Sequence, residues 1–222
     1  MRFSQLAVRA LINRLGCVLQ GEKYLIYPLH VTPEAVLIGG SPEIADQFHI
    51  IKNISMNLPY GVKLYVKEHP DQIIGMGLGY DFYRRLATLP NVRILLACAN
   101  LSNLLDSPSC LGVAVIAGTM GLEAALKRKA VFVFGNTIYS IADCFIKPRD
   151  WDDFFFLVKQ ISDGVFIFNE AALYAILGAL DKCVVRGSID FAECNTSWEM
   201  DLASKKVLRN FLLGLIGKSL KV

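Results

Sequence analysis

Three short groups of residues could carry chemistry, and each follows a stretch of apolar residues. The first group is Lys67, His69 and Pro70, at the end of the apolar stretch 62–67. A histidine can be protonated near neutral pH and donate to a phosphate oxygen, while Pro70 biases His69 toward an extended backbone. Lys67 could add positive charge. An isolated His-Pro pair more often only ends a strand, so this pair alone does not establish a phosphate site.

The second group is a turn that contains Gly118, Thr119 and Gly121, with Glu123 in the helix predicted after it. Free N–H groups at the start of a helix attract anions, and glycines let a phosphate approach the backbone closely. Thr119 could cap the helix or donate its hydroxyl to the phosphate. Glu123 would repel a phosphate, so ribose hydroxyls are its predicted partners. A favourable position near the positive end of the helix dipole is the alternative for Glu123.

The third group is His30 with Glu34, after the first apolar stretch. His30 could contact a substrate, and Glu34 could be a catalytic acid or base or a ligand of hydroxyl groups. An ordinary turn with solvated side chains is the alternative. Solvated charge is also the simpler interpretation of several basic residues, namely Lys63, Lys67, Arg84, Arg85 and Arg93. The sequence offers no arguable Ser-His-Asp order and no metal-binding motif.

Short apolar stretches alternate with helical patterns, and these elements would position the three groups. Strands are predicted at 23–27, 62–67, 92–96, 112–117 and 130–134. Helices are predicted at 4–19, 43–57, 80–88, 100–107, 120–128, 151–161, 169–183 and 198–217. This alternation predicts an α/β fold with a doubly wound parallel sheet and helices on both faces. In such sheets ligands bind beyond the carboxyl ends of the strands, which directs attention to His69-Pro70, to Gly118–Gly121 and to Gly135–Tyr139.

Composition excludes several other classes of protein. Of the 222 residues, 54% are hydrophobic and 19% are charged, which supports a sizeable core and excludes global disorder. The net charge of +3, without a dense Lys/Arg run, gives no case for a nucleic-acid partner. The six cysteines have neither CxxC nor zinc spacing, so we expect reduced thiols, a reducing compartment and no metal.

The chain carries no pattern typical of secretion or of membrane spanning. Arg9 and Arg14 interrupt the apolar N-terminal region, and no stretch reaches about 18 uncharged apolar residues. We therefore expect a cytoplasmic protein. The basic and apolar final segment could contact the inner membrane peripherally, although a helix packed on the domain is the simpler interpretation.

Four stretches, taken together and in order, carry a resemblance to a known family. They are YPLHVTPE (27–34), LPYGVKLYVKEHP (58–70), DFYRRLATLPNVRIL (81–95) and GTMGLEAALKRKAVFVFGNTIY (118–139). The chain resembles the capsule polysaccharide biosynthesis family, whose relatives include bacterial Kdo transferases. The resemblance implies a glycosyltransferase of the GT-B type, in which two Rossmann-like domains face each other across a cleft. This chain would be the C-terminal half, which holds the nucleotide of the activated sugar.

The resemblance also implies a binding site, a donor and an acceptor. The donor would be a nucleotide-activated sugar, with CMP-Kdo as one candidate, the acceptor a glycan or glycolipid, and no metal or other cofactor would be needed. In similar transferases a His-Pro motif contacts the nucleotide phosphate, and a strand–GTxG–helix element lies opposite. These motifs map to His69, Pro70, Gly118, Thr119 and Gly121, followed by Glu123. Relatives often have Gln where Thr32 stands, which puts the role of the neighbouring third group in doubt.

The predicted organisation is a leading helix or linker at 1–21, a nucleotide-sugar-binding domain at 22–195 and a C-terminal helix at 196–222. An acceptor domain, which would supply the other wall of the cleft, has no room in this sequence. One alternative is therefore a non-catalytic domain that needs a separate acceptor-domain chain. A second is an enzyme like the sugar-nucleotide epimerases, for which only His30 and Glu34 offer a base. A third is a regulatory nucleotide-binding module.

Overall fold

The structure, a computed structural model, describes residues 21–30, 46–69, 78–95 and 98–183. The predicted helices at 4–19 and 198–217 lie outside these residues. Five parallel strands form one sheet in the order β3-β2-β1-β4-β5. The strands are Lys23–Pro28 (β1), Val62–Lys67 (β2), Val92–Leu95 (β3), Cys110–Val115 (β4) and Ala130–Val133 (β5).

Within the described residues, six helices connect and follow these strands. They are Gln47–Met56 (α1), Tyr80–Leu86 (α2), Leu101–Asp106 (α3), Met120–Leu126 (α4), Trp151–Ser162 (α5) and Glu170–Cys183 (α6). Side-chain caps fix where three of them begin, because the oxygens of Asp46, Asn100 and Asp150 accept from backbone N–H groups of the first turn. Every helix predicted within the described residues is present, with ends that shift by a few residues.

The order of the strands reverses at β1. The chain moves outward from β1 through β2 to β3, then returns to the other side of β1 for β4 and β5. Right-handed crossovers therefore place helices on both faces of the sheet. Every residue of β4 and β5 is buried, as a covered parallel sheet requires. The prediction of a doubly wound, Rossmann-like α/β fold is confirmed.

The two faces of the sheet bury different groups of side chains. Alternation along β1 directs Leu25 and Tyr27 to one face, where the core also includes buried residues of α1 and α5. Tyr24 points to the opposite face and stacks on Tyr65 with ring centroids 4.2 Å apart. Its hydroxyl donates to the carbonyl oxygen of Leu104 in α3 at 2.8 Å. Burial of these large side chains supplies most of the driving force for folding.

Strand β4 begins and ends two residues earlier than predicted. The prediction took Gly112 as the start of the strand, but Gly112 lies inside β4 and pairs with Leu25 and Ala130. The register of β1 and β4 shifts beside it, and their pairing covers only the Tyr24–Ile26 part of β1, whereas β2 pairs along all of β1. Glycine fits at this point because the backbone of β5 approaches it closely.

The chain divides into two compact units, Met1–Tyr174 and Ala175–Val222. The first contains the whole sheet and helices α1 to α5, and the described part of the second is the C-terminal portion of α6. The domain boundaries at 22 and 195 stay a prediction. Among the helices that the structure describes, none has the length and apolar character needed to span a bilayer.

Candidate functional site

The carboxyl ends of β1 and β4 meet where the strand order reverses. Strand β1 leads into His30 and β4 leads through Ala117 into Gly118. The N–H of Ala117 donates to Nε2 of His30 at 3.4 Å. A Cβ on Gly118 would lie 3.4 Å from Cε1 of the same imidazole. His30 is only 6% exposed, so it supports the Gly118 turn from the protein side.

Gln47, the first residue of α1, holds the backbone of His30 from the opposite direction. The N–H of His30 donates to Oε1 of Gln47 at 2.8 Å, and Nε2 of Gln47 donates to the carbonyl oxygen of His30 at 2.9 Å. Both residues are buried. The start of α1 is therefore fixed to the end of β1. The sequence analysis missed Gln47, because nothing in the local pattern pairs it with a residue 17 positions away.

Replacing Gln47 with alanine tests whether its two hydrogen bonds to the His30 backbone stabilise the fold. The variant leaves one buried N–H and one buried carbonyl of His30 without these partners, which should lower the free energy of unfolding by roughly 2–4 kcal/mol. Urea denaturation followed by circular dichroism measures the loss. The exposed Gln160 is the control, since its replacement by alanine should change stability by less than about 0.5 kcal/mol. Equal denaturation midpoints for the two variants would contradict the role of Gln47.

The Gly118 turn, residues 117–119, presents backbone donors at the edge of the sheet. Gly118 has a φ of 95°, in the left-handed region that glycine enters without strain. Gly118 and Thr119 are both exposed. Within the part of the chain that the structure describes, no hydrogen bond engages the N–H of either residue. Two neighbouring donors of this kind can bind an anionic oxygen.

Of the two roles that the sequence suggests for Thr119, a side-chain cap of α4 or a hydroxyl donor to phosphate, the structure does not show the first. Thr119 has helical backbone angles (φ −73°, ψ −20°) and makes no side-chain hydrogen bond to the helix. A capping side chain needs an extended backbone at that position. The hydroxyl of Thr119 instead donates to Oε1 of Glu123 at 3.4 Å, and both side chains are exposed. A hydroxyl and a carboxylate thus stand together beside the turn.

Tyr139 holds the Gly118 turn from the β5 side. Its hydroxyl donates to the carbonyl oxygen of Gly118 at 2.6 Å. A Cβ on Gly121 would lie 2.6 Å from the same hydroxyl oxygen, so Gly121 is needed to make room for Tyr139. Tyr139 is buried, and burial raises the pKa of its hydroxyl. The sequence places 135–139 at this edge of the sheet, and Tyr139 closes the longest of the four matching stretches, but nothing in the local pattern gives its side chain a role.

The carboxyl end of β2 forms a buried polar cluster of Lys67, Glu68 and Tyr83. Lys67 is 8% exposed, so its interpretation as a solvated charge is wrong, and burial lowers the pKa of its ammonium group. Nζ of Lys67 lies 3.4 Å from the carbonyl oxygen of Glu68. The carboxylate of Glu68 accepts from the hydroxyl of Tyr83 at 2.9 Å.

His69 follows this cluster and is half-buried. Strand β1 lies between β2 and β4, so His69 and the Gly118 turn follow strands about 10 Å apart at the same edge of the sheet. Pro70 and Glu34, also predicted as site residues, lie outside the described residues. Among the residues with described positions, no group of three or more His, Cys, Asp or Glu side chains could hold a metal ion.

Three solved structures are similar to this chain at low sequence identity. KpsC of Thermosulfurimonas dismutans, a beta Kdo 2,7 transferase, is 19% identical with a TM-score of 0.45, and the match covers 81% of this chain and 62% of that chain. The UDP-GlcNAc 2-epimerase of Methanocaldococcus jannaschii is 16% identical with a TM-score of 0.43, covering 79% and 49%. The same epimerase in complex with UDP-GlcNAc and UDP gives 13% identity and a TM-score of 0.42, covering 82% and 51%. The chain therefore spans about half to three fifths of the length of these structures.

Sequence comparison assigns the family. No curated protein matches the sequence. The family model described as capsule polysaccharide biosynthesis protein matches residues 16–144, which is more than half of the 222 residues. The matched range includes all five strands together with His30, the Gly118 turn and Tyr139. The chain belongs to the capsule polysaccharide biosynthesis family.

Proposed function

We propose that this chain is the donor-binding half of a glycosyltransferase that makes capsule polysaccharide. It would bind a nucleotide-activated sugar, and the sugar would pass to a glycan or glycolipid acceptor. The observation that carries the proposal is the Gly118 turn, whose two backbone N–H donors have no hydrogen-bond partner among the described residues and lie where the strand order reverses. Ligands of doubly wound sheets bind at this point. Membership of the capsule polysaccharide biosynthesis family supports the same assignment.

The proposed chemistry is stabilisation of the leaving phosphate. Transfer of a sugar from a nucleotide donor develops negative charge on that phosphate. The N–H groups of Gly118 and Thr119 would donate to it from one side, and a protonated His69 would donate from the other. Such fixed donors stabilise the transition state most where the charge is greatest. Lys67, buried two residues before His69, would add positive charge behind it.

The remaining site residues have different roles in this proposal. Glu123 would accept from ribose hydroxyls, and its contact with the Thr119 hydroxyl keeps the carboxylate beside the turn. His30 and Gly121 would act from the protein side, because one supports the turn and the other makes room for Tyr139. Pro70 would stiffen the backbone at His69, and Glu34 is proposed as the catalytic acid or base.

The partner that completes the site is also part of the proposal. A GT-B enzyme binds its acceptor on a second Rossmann-like domain, which would be supplied by a separate chain or by a longer form of this protein. Of the two bases that the epimerase alternative could use, His30 and Glu34, His30 is poorly suited to the role. Nε2 of His30 already accepts from the N–H of Ala117, and the imidazole is buried.

Thermal-shift measurements with CMP, UDP, GDP and their sugar derivatives test the proposal. At a nucleotide concentration 100 times its dissociation constant, binding should stabilise the folded protein by about 2.7 kcal/mol. For a chain of this size that corresponds to a rise in Tm of roughly 5–10 °C. The matching nucleosides, which lack phosphate, are the control and should give much smaller shifts. A protein whose Tm responds to none of these nucleotides or nucleotide sugars does not have the proposed function.

A further inference from the structure

Side chains from two different loops hold the 116–117 and 118–119 peptide groups, which enclose the 117–118 peptide of the turn. The N–H of Ala117 donates to His30, which follows β1. The carbonyl oxygen of Gly118 accepts from Tyr139, which lies in the loop after β5. Gly118 itself has no side chain to restrict it and has a positive φ of 95°. Without these two contacts, rotation about Gly118 would be the softest motion of the turn.

The contact with Tyr139 also sets the direction of the next N–H group. A trans peptide is planar, and its carbonyl and N–H point in opposite directions. Because the carbonyl oxygen of Gly118 points to the Tyr139 hydroxyl, the N–H of Thr119 points away from Tyr139. If this peptide rotated by half a turn, the carbonyl oxygen would occupy the place of the donor. It would then repel an anion instead of binding it.

We propose that Tyr139 is a positioning residue of the donor site, whose hydroxyl aims the Thr119 N–H at the phosphate of the nucleotide. This inference rests on the proposed function. Tyr139 would not touch the ligand, because its hydroxyl is engaged by Gly118 and its side chain is buried. It would act by holding one donor in the orientation that the phosphate requires, before the ligand arrives.

Tyr139 is itself held firmly enough for this role. Its ring packs against Phe145 with centroids 4.7 Å apart and fills the space beside the Cα of Gly121. Next to it, Ser140 and Thr137 exchange hydrogen bonds, since the N–H of each donates to the side-chain oxygen of the other. Burial raises the pKa of the Tyr139 hydroxyl, which therefore stays a donor at neutral pH.

The test replaces Tyr139 with phenylalanine and uses Tyr24→Phe as a matched control. Tyr24 also donates a buried hydroxyl to a backbone carbonyl, that of Leu104, so both variants lose one hydrogen bond of the same kind. Isothermal titration calorimetry measures the Kd of CMP, UDP and GDP, and of cytidine, uridine and guanosine. Tyr139→Phe should raise the Kd of the bound nucleotide about 10-fold, as the loss of one oriented donor predicts. Tyr24→Phe should change it by less than about twofold, and nucleoside binding should be equal in both variants.

The outcomes separate this inference from the proposed function. If the wild-type protein binds none of the nucleotides, the proposed function is wrong and the inference falls with it. If the wild-type protein binds a nucleotide and Tyr139→Phe binds it equally tightly, only the inference is overturned. An equal loss of affinity for nucleotide and nucleoside would also overturn it, because the effect would then not act through the phosphate.

A second variant keeps the test decisive if Tyr139→Phe does not fold. In Gly121→Ala the new methyl group would displace the Tyr139 hydroxyl, because it would lie 2.6 Å from that oxygen. This variant should raise the nucleotide Kd about as much as Tyr139→Phe, with nucleoside binding again retained. Unchanged nucleotide affinity in a folded Gly121→Ala protein overturns the inference.

Discussion

Replacing Gly112 with alanine should remove most of the stability of the protein. A Cβ at this position would overlap the carbonyl oxygen of Ala130 and lie 2.9 Å from its carbonyl carbon. These are backbone atoms of β5, the strand paired with β4, so no side-chain rotation can relieve the overlap. Strand β4 is also paired with β1 on its other edge and cannot move away. Relief therefore requires the sheet to separate at β4 and β5.

The expected loss is at least about 3 kcal/mol, because overpacking against backbone costs more than overpacking against a mobile side chain. Small domains are stable by only about 5–15 kcal/mol, so this loss takes a large share of the stability and should lower the urea midpoint clearly. Urea denaturation followed by circular dichroism measures the effect. Gly79→Ala is the matched control, because Gly79 has open space around it and an extended backbone (φ −68°). If Gly112→Ala and Gly79→Ala unfold at the same urea concentration, the close approach of β5 to Gly112 is incorrect.

Replacing His69 with alanine should have the largest effect on activity. If His69 donates to the leaving phosphate, its removal should slow sugar transfer roughly 100- to 1,000-fold, as the loss of one oxyanion donor does in other enzymes. Nucleotide affinity should fall as well. The fold should remain intact, because His69 is half-buried and lies beyond the end of β2.

Calorimetry with the nucleotide that raises Tm measures the affinity, and transfer is measured with a glycan acceptor together with the acceptor-domain partner. His49→Ala is the control, since His49 is an exposed histidine on α1. It should leave both affinity and transfer unchanged. Nucleotide affinity in His69→Ala equal to that of the wild-type protein would show that His69 does not contact the phosphate.

The fold could be predicted because its signals are local. Each strand is a short apolar stretch between turn residues, and the predicted and observed bounds of β2 are identical at 62–67. The predicted bounds of β4 were wrong because glycine usually marks the end of a strand, so Gly112 was taken as the first residue of β4. Its true role depends on the approach of Ala130, which follows it by 18 positions and belongs to another strand.

The contacts within the candidate site could not be predicted in the same way. The sequence identified His30 and Gly118 as separate candidates, but their contact joins residues 88 positions apart and depends on β1 and β4 being neighbours. The turn that contains Tyr139 could be placed at this edge of the sheet, but the role of the Tyr139 side chain depends on the space beside Gly121 and could not be predicted. The burial of Lys67 was missed because a lysine at the end of a strand is usually exposed, and its environment here is set by the neighbouring strands.

The short pairing between β1 and β4 has a consequence for how the sheet holds together. These strands join the two halves of the sheet, yet their ladder covers only Tyr24–Ile26. The bond from Ala117 to His30 lies beyond the carboxyl end of that ladder and ties the halves together a second time. The Gly118 turn thus helps to hold the two halves of the sheet together, in addition to the ligand-binding role proposed for it. A phosphate bound at this turn would further stabilise the junction of β1 and β4. Ligand binding there should therefore affect the stability of both halves of the sheet.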